Sequence, residues 1–250
     1  IAGAAYATLV GQVAAMLIVM RGGLKPPPRV CEMPTLTKEI YKLGIPSIIM
    51  YFLMTFYIVF LNMILGRFSD AAITVLGLYY RLQSFFFMPL FGLNNATISI
   101  IAYNYGARKP QRITKTLKIA CTAAVCLMLA GFLAFQFAPD LLIGMFNPSE
   151  TFLVIGRAAL RTISWSFPLA AFGIALSGCF QALGNGIYST IVSLCRQMLV
   201  LLPVAYLLSL TGDVNAVWWS FPIAEVVSAA VTLLLYRRLY QKKIKPLIQA

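Results

Sequence analysis

The sequence contains no histidine and only seven acidic residues among its 250 positions. Without histidine, and with five cysteines that form no CxxC pair, the chain lacks the donor sets of ordinary zinc sites. No pair of acids lies within its apolar segments, and no nucleophile stands with a base in a catalytic pattern. We therefore predict that the chain is not an enzyme, binds no metal and needs no cofactor.

Charge is also scarce, since charged residues make up 11% of the chain and apolar residues 60%. A soluble domain has about a quarter of its residues charged and about half apolar. The net charge of +13 would suggest a nucleic-acid partner in a soluble protein, but here the cations flank apolar segments. We predict no nucleic-acid partner, and membrane lipids with anionic headgroups as the surroundings of these cations.

Lys and Arg are unevenly placed along the chain. Three groups of five lie within residues 21–42, 108–118 and 237–245, at every second gap between apolar runs. The other gaps carry acids: Asp70, Asp140, Glu150 and Asp213. Membrane proteins that cross the bilayer repeatedly keep Lys and Arg on the cytoplasmic side. We therefore predict a multi-pass protein whose linker after the first span, Arg108 loop and C-terminus are cytoplasmic.

Seven apolar runs are long enough to cross a bilayer, which takes about 20 helical residues. The fold class predicted from them is all-α, a polytopic membrane bundle of seven transmembrane helices. We expect the fifth helix to bend near Pro168, because proline cannot continue a regular helix. The runs are residues 1–20, 45–65, 71–105, 113–137, 152–183, 188–210 and 216–236.

The chain divides into four predicted regions. Residues 1–20 are expected to be the last helix of a missing front half, because the chain starts inside an apolar run and residues 3–13 faintly match residues 216–226. Residues 21–44 are predicted as a cytoplasmic linker with an extended Pro26–Pro28 stretch and a short amphipathic helix at Thr37–Leu43. Residues 45–240 form a six-helix bundle, and residues 241–250 a cytoplasmic tail.

Glu225 and Arg196 are the charged residues predicted to lie deepest in the membrane. Glu225 is nine residues into the last span, about 14 Å along a helix, and Arg196 is eight residues into the preceding one. A charge at this depth costs at least about 2.5 kcal/mol, so it persists when it is paired, hydrated or used. Two interpretations remain open: Glu225 binds a coupling ion, or it forms a structural ion pair with Arg196.

Aromatic, methionine and amide side chains within the spans are candidates for a cavity wall. Asn and Gln line wet cavities or bond between helices, and aromatic and Met surfaces suit flat cationic ligands. The same stripes also occur as plain packing. The candidate residues for a substrate cavity are Tyr57, Phe60, Gln83, Phe86, Met88, Asn94, Asn95, Trp165 and Gln181.

Several short motifs in this order resemble the multidrug and toxic compound extrusion (MATE) transporters, bacterial branch. The resemblance covers residues 35–240 and is similar to the second half of such a transporter. The motifs are Lys42-Leu43-Gly44-Ile45-Pro46, Phe91-Gly92-Leu93-Asn94-Asn95-Ala96, Asn104-Tyr105-Gly106-Ala107, Phe180-Gln181-Ala182-Leu183-Gly184-Asn185-Gly186, Arg196-Gln197 with Pro203, and Ala224-Glu225.

The resemblance implies a twelve-helix antiporter in a bacterial cell membrane, with the missing N-terminal half of the same transporter as a partner. It would export drug-like, often cationic, compounds in exchange for Na⁺ or H⁺ through an alternating-access cavity between two helix bundles. The alternative is a lipid-linked oligosaccharide flippase of the same broad superfamily. That function requires a cationic cavity, to which Arg81, Arg161 and Arg196 would contribute.

Overall fold

The computed structural model describes residues 2–23, 33–146 and 149–249, and within these ranges the regular structure is entirely helical. The chain forms two compact units, Ile1–Lys42 and Leu43–Ala250. The α-helices are α1 (Ala2–Gly23), α2 (Met33–Leu65), α3 (Asp70–Gly106), α4 (Pro110–Phe137), α5 (Pro139–Gly144), α6 (Glu150–Ser164), α7 (Phe167–Ala182), α8 (Gly186–Leu194), α9 (Leu202–Ser209), α10 (Val214–Trp218), α11 (Ser220–Leu239) and α12 (Lys245–Gln249). Two π-helical stretches, Cys195–Leu201 and Tyr240–Ile244, join α8 to α9 and α11 to α12.

The described helices confirm an all-α membrane bundle. Five stretches are long and apolar enough to span a bilayer, and α6 with α7 makes a sixth. The described residues thus give five spans, or six with α6 and α7 joined, and the predicted count of seven stays a prediction. The five are Ile48–Leu65, Asp70–Gly106, Pro110–Phe137, Gly186–Ser209 and Val214–Leu247.

The start of α2 differs in form from the predicted linker. Residues 37–43 do not form a separate short helix but are early turns of the continuous helix Met33–Leu65. Gly44 and Pro46 do not end it, because a single Gly costs only about 1 kcal/mol and Pro is tolerated in membrane helices. The Pro26–Pro28 stretch lies outside the described residues.

The bend expected near Pro168 is present between α6 and α7, whose axes differ by 48°. Side chains add hydrogen bonds at the break: the Ser166 hydroxyl donates to the Ile163 carbonyl (2.6 Å), which also accepts from the Ser166 N–H (2.9 Å). Gln136 of α4 donates to the Arg161 carbonyl at 2.8 Å and to the Ser164 hydroxyl at 3.0 Å. The bend is therefore held by a neighbouring helix as well as by its own proline.

The π-helical stretch Cys195–Leu201 precedes Pro203 in the following helix. A proline ring collides with the carbonyl four residues earlier, here that of Leu199. The wider turn relieves this collision: the Leu202 N–H donates to the Gln197 carbonyl, five residues back. This stretch contains Arg196 and lies against α11.

Aromatic side chains fill the centre of the bundle between α3, α4, α7 and α10. Tyr79, Phe135, Phe167 and Trp218 are fully buried in one apolar cluster. Phe86 packs edge to face on Phe135, with ring centroids 5.7 Å apart. The core thus lies inside the bundle, where it holds the spans against each other without help from lipid.

A second apolar cluster closes the end at which α3 and α7 finish and α4 begins. Phe180 of α7 and Ile244 of the second π-helical stretch are both fully buried there. Gly184 ends α7 in a left-handed conformation with φ +73°, and the Asn185 N–H donates to the Phe180 carbonyl. Residues 241–249, predicted as part of a tail, are helical and contribute Ile244 to this packing.

Candidate functional site

The two charged candidates, Arg196 and Glu225, face each other inside the bundle. The Arg196 Nη1 donates to the Glu225 Oε1 at 3.3 Å, and the side chains are 25% and 13% exposed. Charge-assisted N–H···O bonds typically measure 2.7–2.9 Å, so this contact is long. The ion pair is therefore mostly buried, but its hydrogen bond is longer than usual.

The local structure explains why the pair forms. Arg196 lies in the π-helical stretch and Glu225 one turn after Phe221 in α11, and these two elements pack against each other. Ala224, next to Glu225, is fully buried, so the helix approaches its neighbours closely at this point. Removing one partner of an enclosed pair leaves an uncompensated charge, which costs about 3–5 kcal/mol at fully buried sites.

Two tyrosines lie within electrostatic range of the pair. Tyr57 of α2 and Tyr79 of α3 both interact electrostatically with Arg196 and with Glu225. Tyr80 lies between them, with ring centroids 6.5 Å from Tyr57 and 5.2 Å from Tyr79. These phenol groups make this part of the bundle less apolar than the core around it.

Sequence reasoning included Tyr57 but missed Tyr79, Tyr80, Gln197 and Trp218. The Gln197 Oε1 and the Trp218 Nε1 are buried without a hydrogen-bond partner among the described residues. Polar atoms of this kind are rare in packed interiors, so they mark an unusual environment. These residues could have been found from the sequence, because phenol, amide and indole groups stand out within otherwise apolar runs.

The other cavity candidates do not converge on one site. Tyr57 and Phe86 pack against the core, and Asn94 is wedged against Gly178 of α7, where a methyl group on the glycine would overlap its side-chain oxygen. Gln83 and Gln181 are half-buried. The exposed candidates are Phe60 (41%), Met88 (72%), Trp165 (57%) and Asn95.

Two of the exposed candidates belong to a continuous exposed stripe along α3. Its members recur at intervals of three or four residues, which places them on one face of the helix. Asn95 and Ser99 are polar, and Asn95 is about 16 Å along the helix from its end at Gly106, well inside a membrane span. We call this face the α3 stripe: Phe85, Met88, Gly92, Asn95, Ser99 and Tyr103.

Residues 46–207, well over half of the chain, match the MatE family. The chain belongs to the MATE family. Members of this family are transporters, not enzymes. The resemblance read from the short motifs is thereby confirmed.

Relatives and solved structures agree with this assignment. The MATE chain is 27% identical over 242 residues to the multidrug export protein MepA of Staphylococcus aureus (strain bovine RF122 / ET3-1), covering 94% of this chain and 53% of that protein. It is 28% identical over 196 residues to MepA of Staphylococcus haemolyticus, covering 78% of this chain and 43% of that protein. A MOP superfamily transporter from Pyrococcus furiosus, described as having a binding pocket of reverse polarity, superimposes with a TM-score of 0.84 at 26% identity over 99% of this chain and 57% of that one. The MATE chain thus spans about half the length of the proteins it matches.

Proposed function

We propose that this chain is the second half of a MATE exporter that expels drug-like, often cationic, compounds across a bacterial cell membrane in exchange for Na⁺ or H⁺. The relatives from two Staphylococcus species are named multidrug export proteins. The half-length coverage supports a partner half of similar size. The observation that carries the proposal is the α3 stripe.

The α3 stripe is unsuited to lipid. A lipid-facing surface carries apolar side chains, because hydrocarbon offers no hydrogen bonds to an amide or a hydroxyl. Asn95 and Ser99 nevertheless point outward from the described bundle in the middle of a span. The Ser99 hydroxyl donates to the Asn95 carbonyl at 3.3 Å, so the Asn95 side-chain amide is the group that needs water. A water-filled cavity between this bundle and a second one would satisfy it, and this is the cavity that an exporter needs.

The same stripe offers surfaces for a flat cation. Phe85 is 81% exposed and Met88 is 72% exposed, one turn apart. Aromatic faces attract cations, and the flexible thioether adapts to ligands of different shape. The substrate class of the proposal rests on these side chains.

Glu225 is our candidate for coupling. Its carboxylate is held by Arg196 through the single long contact of 3.3 Å, and both side chains keep some exposure. A proton or Na⁺ that reaches the carboxylate competes with the guanidinium for the same oxygen atoms. Release of Arg196 would then change the charge at the contact between α11 and the π-helical stretch, which is how ion binding would bias the bundle towards another conformation.

The experiment compares drug efflux in cells that express the full-length transporter, Glu225→Gln or Asp140→Asn at equal protein levels. Asp140 is a matched control because its ion pair with Arg157 (2.8 Å) lies on the surface, with exposures of 55% and 47%. We expect Glu225→Gln to lose most of its efflux and Asp140→Asn to retain it. Unchanged efflux in Glu225→Gln would remove Glu225 from the coupling step, and loss of efflux in both variants would point to a general effect of charge.

The flippase alternative is less well supported. It needs free cations inside the membrane, but Arg196 is paired with Glu225. Arg157 pairs with Asp140 at the surface, while Arg81 and Arg161 are exposed. The described bundle therefore offers no cluster of unpaired cations in its interior.

A further inference from the structure

The end of the bundle that carries residues 108–118 and 237–245 has an unusual charge balance. It holds ten Lys and Arg residues, two groups of five, and no acid occurs in either segment. All acids of the unit Leu43–Ala250 lie elsewhere in the sequence: Asp70, Asp140, Glu150, Asp213 and Glu225. We call this the basic end. Its cations have no carboxylate partner within the described part of the chain.

The C-terminal segment is fixed at the basic end by specific contacts. Lys243 donates to the Leu183 carbonyl at 2.5 Å and lies 5.7 Å from the centre of the Tyr105 ring. Ile244 beside it is fully buried. These contacts anchor the π-helical stretch that leads into α12, and α12 lies against α4.

A cavity of about 360 Å³ opens between the start of α4 and α12. Two cations, Lys109 and Arg112, stand on the α4 side, and the apolar side chain of Leu247 faces them from α12. Pro110 and Gln111 complete the lining. The cavity combines positive charge with an apolar wall, at the point where a membrane-spanning helix begins.

We propose that this cavity binds the phosphodiester headgroup of an anionic phospholipid from the surrounding bilayer. Arg112 offers a planar set of donors to phosphate oxygens and Lys109 a point charge, while Leu247 contacts the apolar part of the lipid near its glycerol. Basic pockets between membrane helices are a known setting for such headgroups. Among the described residues, no carboxylate pairs with either cation.

The lipid is favoured over a soluble anion for two reasons. The cavity borders α4, whose residues Pro110–Phe137 form a membrane span, so it lies at the level where headgroups are concentrated. A soluble phosphate would also leave the Leu247 wall without an apolar partner. The inference does not depend on the proposed transport activity, because its readout is lipid binding.

The test compares the full-length protein with the double variant Lys109→Gln/Arg112→Gln and with Lys115→Gln/Lys118→Gln. The second variant loses the same charge from exposed positions of the same helix that do not line the cavity. Each protein is placed in nanodiscs with phosphatidylglycerol in phosphatidylcholine, and bound lipid is measured by native mass spectrometry. We expect about 30-fold weaker phosphatidylglycerol binding for Lys109→Gln/Arg112→Gln, equivalent to about 2 kcal/mol, and a much smaller change for the control.

Three outcomes would overturn the proposal. Equal losses in both double variants would indicate diffuse attraction to the whole basic end. Unchanged binding in Lys109→Gln/Arg112→Gln would exclude the cavity. Displacement of the lipid by inorganic phosphate, through the same two cations and with equal affinity, would identify a soluble anion as the ligand.

Discussion

Asn94 of α3 and Gly178 of α7 make a close contact between the two helices. The Asn94 side-chain oxygen is buried, has no hydrogen-bond partner among the described residues and rests against Gly178. Small residues at such contacts allow membrane helices to pack backbone against side chain. The glycine is therefore required by its neighbour and not by its own backbone conformation.

Gly178→Ala is expected to destabilise the protein by about 1–3 kcal/mol, because the new methyl group overlaps Asn94. Gly173→Ala on the same helix is the control, since a methyl group there meets nothing within 4 Å. The unfolding temperature of the purified full-length protein is measured for each glycine variant. Adding Asn94→Ala to Gly178→Ala should restore part of the loss. Equal unfolding temperatures for the two glycine variants would contradict the contact.

The sequence revealed some of these residues more easily than others. Charges within apolar runs are costly, so Glu225 and Arg196 could be selected from the sequence directly. The distance between their side chains could not be predicted. Aromatic residues give the same signal in a core and in a cavity wall. Phe86 packs on Phe135 because Gly131 leaves room for its ring, a fact that only the tertiary structure contains.

Among the helices, the α3 stripe has the most direct consequence for function. Sequence periodicity predicted a long third span and the bend near Pro168, because hydropathy and proline act locally. It did not predict the π-helical stretch before Pro203, which depends on how a turn adjusts to a proline ring. Nor could it tell which face of α3 the packing of α4 and α7 would leave uncovered.

The α3 stripe predicts that a water-soluble maleimide labels Ser99→Cys in the full-length transporter. Leu133→Cys on α4 is the control: Leu133 is 49% exposed but lies in an apolar span, where we expect lipid. Both are made with the exposed Cys126 replaced by alanine. Labelling at position 99 alone is expected, and it should fall when a transported drug is present. Equal labelling of both positions would mean that the stripe does not line a wet cavity.

The whole molecule is divided by charge. At the basic end, Lys243 joins the C-terminal segment to the end of α7 through the Leu183 carbonyl. The ion pair between Asp140 and Arg157 joins α5 to α6. The alternation of Lys and Arg along the sequence predicted this division of charge, because the division depends only on the order of the spans in the chain. The number of spans did not follow as directly, since the described residues give five, or six when α6 and α7 count as one.

The predicted orientation can be tested with a maleimide that does not cross membranes. Thr211→Cys lies in an exposed turn after α9, and Gln241→Cys is exposed at the basic end. With Cys31 and Cys126 replaced by alanine, we expect intact cells to label position 211 and only permeabilised cells to label position 241. The reverse pattern would place the basic end outside the cell.

The ion pair between Arg196 and Glu225 carries no net charge, and this has an electrical consequence. Moving a unit charge through the full membrane potential costs about 2.3 kcal/mol per 100 mV, whereas a neutral pair that moves together does no such work. As long as the pair is intact, its translation along the membrane normal adds no net charge movement. Separation of the pair, or neutralisation of Glu225 by a bound ion, leaves the guanidinium alone in the field. The membrane potential would then act on the bundle through Arg196.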